Sequence, residues 1–88
     1  MQRDDGSWLI AGSMPVDEMA DRLFIALPPE RSYHTAAGLV LNQLGHLPAI
    51  GESFDHQGWR FEVVDLDGRR IDRILARRIA AGRRRAAV

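Results

Sequence analysis

Trp59-Arg60-Phe61-Glu62-Val63-Val64-Asp65-Leu66-Asp67-Gly68-Arg69-Arg70-Ile71-Asp72-Arg73-Ile74-Leu75-Ala76-Arg77-Arg78 reads as a β-hairpin. In its first half Trp59, Phe61 and Val63 point one way while Arg60, Glu62 and Val64 point the other. That period of two is the signature of a half-buried strand. Asp67-Gly68 follows, and both residue types tolerate the positive φ that a two-residue hairpin loop requires. The chain then returns from Arg69 to about Arg78, with Ile71, Ile74, Leu75 and Ile79 as its apolar content. Alternation here is imperfect, which predicts a bulge. Ile71, Ile74, Leu75 and Arg78 also fit helical spacing over 71–81, so helix competes with strand; the Asp-Gly turn favours strand.

Working outward, Ser53 to His56 predicts a short strand joined to Trp59 by a tight turn at Gln57-Gly58, and residues 46–52 an extended loop. A helix from about His34 to Leu44 is apolar on most sides, with Gly45 placed to end it. Gly38 within it is tolerable where another backbone packs closely. An earlier helix starts near Ser13-Met14-Pro15, with Ser13 or Met14 as its cap and Pro15 in the first turn. Its apolar face is Val16, Met19, Ala20 and Leu23, and Pro28-Pro29 is expected to end it. Residues 7–12 predict the first strand. The order β-α-α-β-β-β defines an α+β fold, two helices packed on one face of a small, mainly antiparallel sheet.

The whole sequence has 88 residues, enough for one domain with a small core. Apolar residues make up 45% of it and the net charge is zero, which argues against disorder throughout. With no cysteine, disulfide frameworks, thiolate metal sites and cysteine nucleophiles are excluded. All 12 basic residues are arginine, so no Schiff-base or P-loop lysine exists. From Arg69 onward there are eight arginines against one acid, and before it four against eleven. An acidic body therefore carries a basic C-terminal end, with residues 80–88 expected to form an arginine-rich frayed tail.

Four short segments in this order resemble the CorC/HlyC transporter-associated domain. They are Asp5-Gly6-Ser7-Trp8-Leu9 with Gly12-Ser13-Met14-Pro15; Thr35-Ala36-Ala37-Gly38-Leu39-Val40; Gly45-His46-Leu47-Pro48-Ala49-Ile50-Gly51-Glu52; and Phe61-Glu62-Val63 through Asp67-Gly68-Arg69-Arg70-Ile71-Asp72-Arg73-Ile74. The resemblance covers residues 4–79. It implies a cytosolic accessory module, at the cytoplasmic face of the cell membrane, of proteins that join a membrane region to a CBS-domain pair. Those proteins are associated with magnesium and cobalt efflux or called hemolysins, and the module's implied role is to modulate ion transport. The family's fold is similar to an FAD-binding subdomain of flavin oxidases, which makes flavin adenine dinucleotide, or another nucleotide, an alternative ligand by analogy. No catalytic residues carry over.

Beside this resemblance, the residues offer few candidates for chemistry. His34, His46 and His56 lack ligand spacing, although Asp55 adjoins His56. Asp65, Asp67 and Asp72 flank the hairpin as oxygen donors, without the pattern of a calcium loop. Ser13 and Ser53 lack a nucleophile-elbow context, and no acid–base pair stands out, so the chain reads as a non-enzyme. Gly12-Ser13 precedes a helix without a dinucleotide fingerprint, and no cofactor is expected. Arg77, Arg78, Arg83, Arg84 and Arg85 offer an anionic-lipid contact, favoured over nucleic acid because the resemblance implies parent proteins at a membrane and because Trp59 and Phe61 are better explained as core than as stacking partners for bases. The sheet face without helices, bearing Arg60, Glu62 and Val64, is the expected partner or homodimer surface.

Overall fold

The hairpin predicted at the C-terminal end organises the sheet. A computed structural model describes residues 2–79, so Arg83, Arg84, Arg85 and the rest of the expected tail lie outside the described residues. Six elements follow in chain order: β1 (Trp8–Ala11), α1 (Val16–Leu23), α2 (Ala36–Leu44), β2 (Ser53–His56), β3 (Trp59–Asp67) and β4 (Arg70–Arg78). The four strands form one antiparallel sheet in the order β1-β4-β3-β2. The first strand is thus paired with the last, and both helices lie in the connection between β1 and β2.

Residues 71–78 are strand, as the turn indicated, and the imperfect alternation has a clear cause. Val63 pairs with Ile74 but Asp65 pairs with Arg73, which leaves Val64 out of register; Leu66 pairs with Ile71, which leaves Asp72 out on the other strand. This irregularity shifts the phase of β4. Ile71 and Ile74, three residues apart, are consequently both buried. The helix-like spacing in the sequence is the trace of a bulge. The hairpin loop sits one residue later than expected: Asp67 pairs with Arg70, and Gly68, at φ 63°, takes the first central position with Arg69 second. Glycine there is the ordinary solution for a two-residue loop, and β4 accordingly starts at Arg70 rather than Arg69.

Two expectations about α1 are corrected. Its N-cap is Pro15, and no side chain caps it. Instead Val16 donates its N–H to the His34 carbonyl at 2.9 Å, where Pro15 bridges Thr35 in the approach to α2. A neighbouring backbone replaces the side-chain cap expected from Ser13 or Met14. The helix also stops at Leu23, well before Pro28-Pro29. Phe24 turns into the left-handed region at φ 58°, and the Phe24 and Ile25 N–H groups both donate to the Ala20 carbonyl. Long-range contacts hold this end. The Trp59 indole donates to the Leu23 carbonyl at 2.9 Å, and the Gln57 side-chain amide both donates to and accepts from the Ala26 backbone at 2.9 and 2.8 Å. Ile25 can then return to the core, where it is buried.

α2 starts at Ala36, with Thr35 accepting from the Gly38 N–H at 3.1 Å, and ends on Gly45 at φ 78°. Gly38 is needed for close packing, because a Cβ there would lie 2.7 Å from the Tyr33 Cβ. The core lies between the helices and one sheet face. It joins Val16, Met19, Leu23, Leu39 and Val40 to Ile10, Phe61, Val63, Ile74 and Ala76.

Candidate interaction surfaces

The ladder registers divide the sheet into two faces. One row joins Trp8, Ala76, Phe61 and Phe54 on the side of the core; the next joins Leu9, Leu75, Glu62 and Ser53 on the opposite side. Arg77, Arg60 and Asp55 form a further row on that same outer side. The structure therefore brings Arg60 and Glu62, two of the three residues expected at a partner surface, onto one face. Val64 sits at the bulge, half-buried. Arg60 reaches across the ladder to grip Asp55 with Nε–Oδ1 at 2.8 Å and Nη2–Oδ2 at 3.3 Å. That guanidinium holds the Asp55 carboxyl below its ordinary range. Leu75, absent from the expected surface, is its central apolar residue; it is buried by its neighbours yet stands outside the main core.

A second feature was not legible in the sequence. Beside the C-terminal end of α1 and the far end of β4 lies a cleft of about 450 Å³. Trp8, Trp59, Arg22, Phe24, Arg77 and Arg78 line it, with Asp5 at its edge. The Arg78 guanidinium lies 4.9 Å from the centre of the Trp59 ring, and that of Arg22 lies 5.9 Å from Trp8. These are cation–π distances. Arg22 also pairs with Glu18 one helical turn back, at 2.7 Å. The Asp5 carboxylate accepts from the Ser7 hydroxyl at 2.6 Å and the Ser7 N–H at 3.0 Å, which holds its pKa below the ordinary value. Phe24 escapes a helical reading because it lies four residues after Ala20, a position that a longer helix would tuck inward. Arg22 escapes it as one more charge on a polar face.

The remaining candidates are dispersed. His46 meets Glu52 at 2.6 Å, and Glu52 is held below its ordinary pKa first by the Ala49 N–H and then by His46. His56 lies beside Gln57 at 3.2 Å, while His34 serves α1 through its backbone carbonyl. Asp67 pairs with Arg70 at 3.3 Å and Asp72 approaches Arg73 at 3.9 Å. Among the described residues no three histidine, aspartate or glutamate side chains are grouped to hold a metal ion. Nor is any helix among them long and apolar enough to cross a membrane.

Burial pushes the His56 imidazole below its ordinary value, so the folded chain binds that proton less readily than the unfolded chain. Stability then falls as pH drops below about 6.5, the unfolded value, towards the depressed folded one. Thermal unfolding followed over this interval should show a smaller loss of midpoint for His56→Gln than for the natural sequence. Equal losses in both would reject the assignment.

Two helices on one face of a four-stranded antiparallel sheet define a small α+β module. The chain belongs to the CorC/HlyC family of transporter-associated domains, whose family model matches residues 1–80. It is 40% identical over 78 residues to a polyamine export protein of Escherichia coli strain K12, a match covering 88% of this chain and 17% of that protein. Among solved structures it is similar to the transporter-associated domain of a Xylella fastidiosa hemolysin in complex with magnesium and manganese. That match has 45% identity and a TM-score of 0.81, and covers 91% of this chain and 96% of that one. It is also similar to the transporter-associated domain of a CBS domain protein from Porphyromonas gingivalis. There the identity is 25%, the TM-score 0.75, and the coverage 91% of this chain and 97% of that one. The chain spans only 17–18% of the length of the first curated relatives it matches.

Proposed function

We propose that this chain is a non-catalytic accessory module that modulates cation export by a membrane protein, acting from the cytoplasmic face. The observation that carries this reading is one of proportion. The family match takes up residues 1–80 of the 88, yet the chain corresponds to less than a fifth of relatives such as the polyamine export protein. The exported cation is a metal ion or a polyamine. The mechanism is mechanical: docking of the module biases the conformations of the transport region. Its expected partners are the membrane region, a CBS-domain pair and a second copy, met through the outer sheet face around Arg60, Glu62 and Val64.

The alternative ligand, flavin adenine dinucleotide or another nucleotide, rests on analogy of fold alone. A pyrophosphate needs free N–H groups at a helix start. At α2 those of Ala36, Ala37 and Gly38 are taken by the Met14 carbonyl, the Gly12 carbonyl and the Thr35 hydroxyl.

The test is deletion of the module from a full-length parent protein, with export of cation or polyamine followed in cells or vesicles. Export, or its response to the cation, should change while the membrane region still inserts. Export with unchanged rate and unchanged cation response would overturn the reading.

A further inference from the structure

The cleft at the end of α1 combines three unusual features. Phe24 is 87% exposed and holds a left-handed backbone at φ 58°. A side chain with a Cβ is strained in that conformation, and glycine would hold the same turn without strain. Nothing in the core uses the ring. Secondly, the cleft wall is cationic. Among the described residues neither Arg77 nor Arg78 forms a salt bridge; Asp5, the acid at the edge, hydrogen-bonds Ser7 and feels the Arg77 charge only at longer range, and Arg22 is paired with Glu18. Thirdly, Trp8 and Trp59 back the Arg22 and Arg78 guanidinium groups with their ring faces, which fixes those cations at the rim beside Phe24.

We propose that this edge docks on an anionic membrane surface, with Phe24 inserted among the lipid chains and Arg22, Arg77 and Arg78 on the headgroup phosphates. A projecting aromatic ring beside Arg77 and Arg78, which form no salt bridge among the described residues, and Arg22, which keeps its Glu18 partner, has the chemistry of an interfacial anchor, apolar at its tip and positive at the headgroup level. An acidic peptide would share the charge complementarity, but a peptide groove recesses its apolar pocket, whereas here the apolar group stands out from the surface. The proposal rests on the accessory-module reading only in that such a module works beside a bilayer.

Co-sedimentation of the chain with phosphatidylcholine vesicles, with and without phosphatidylserine, tests it. Binding should require phosphatidylserine and weaken with salt. Phe24→Gly should keep or raise the thermal midpoint, because glycine suits that cap, yet bind about tenfold more weakly. Arg77→Gln and Arg78→Gln should each cost about fivefold. Absence of phosphatidylserine-dependent binding overturns the proposal, as does binding that Phe24→Gly leaves unchanged. Phe24-dependent capture of polyglutamate without vesicle binding would assign the edge to a protein partner instead, and likewise overturns it. Export is not read in this assay. Failure here therefore leaves the accessory role standing, and unchanged export on deleting the module leaves vesicle binding standing.

Discussion

Gly12→Ala is expected to lose about 3 kcal/mol or more of folding stability, a magnitude reserved for changes the backbone cannot absorb. A Cβ at Gly12 would lie 2.0 Å from the Ile71 carbonyl oxygen and 3.0 Å from its carbon. The obstacle is main chain in the central strand β4, so no rotamer change relieves it. The same glycine donates its N–H to the Asp72 carbonyl at 2.8 Å and accepts from the Ala37 N–H at 2.9 Å. Moving it away therefore breaks the junction between β1, β4 and α2. A domain of this size has only about 5–10 kcal/mol to lose. Urea unfolding followed by tryptophan fluorescence should show a much lower midpoint; a midpoint near that of the natural sequence would show that the loop escapes the clash.

Phe61→Ala should be as severe, at about 3–5 kcal/mol, through a different mechanism. Phe61 is 1% exposed and among the largest fully buried side chains. It stacks on Phe54 with ring centres 5.4 Å apart and sits in the ladder row between Phe54 and Ala76. Truncation leaves a void flanked by a strand that cannot move, because β3 is hydrogen-bonded on both sides. Small domains recover little of such a void by collapse. The variant should unfold at a greatly reduced urea midpoint, and one that keeps the natural midpoint would remove Phe61 from the core.

The hairpin, both helices and the short strand at Ser53–His56 were legible because their signals are local. Period two in Trp59, Phe61 and Val63, period 3.6 in Val16, Met19, Ala20 and Leu23, and glycines at the turns each act within a few residues. The resemblance to a transporter-associated domain was carried by the same local segments in their order, and residues 1–80 match that family. The candidate surfaces were legible only in part. Arg60 and Glu62 were placed on a common face by strand alternation alone. Leu75 was read as apolar content of the strand, without its position at the centre of that face.

Local patterning thus determined which segments are strand or helix, since backbone geometry and side-chain period are properties of consecutive residues. Three-dimensional packing decided where α1 ends, which residue caps it and where Phe24 points. Those outcomes depend on Trp59 reaching Leu23, Gln57 clasping Ala26 and His34 receiving Val16, all contacts between residues distant along the chain. The cleft of Arg22, Phe24, Arg77 and Arg78 has the same origin: its residues come from two separate elements and the turn that ends one of them, and only the pairing of β4 between β1 and β3 brings them to one edge.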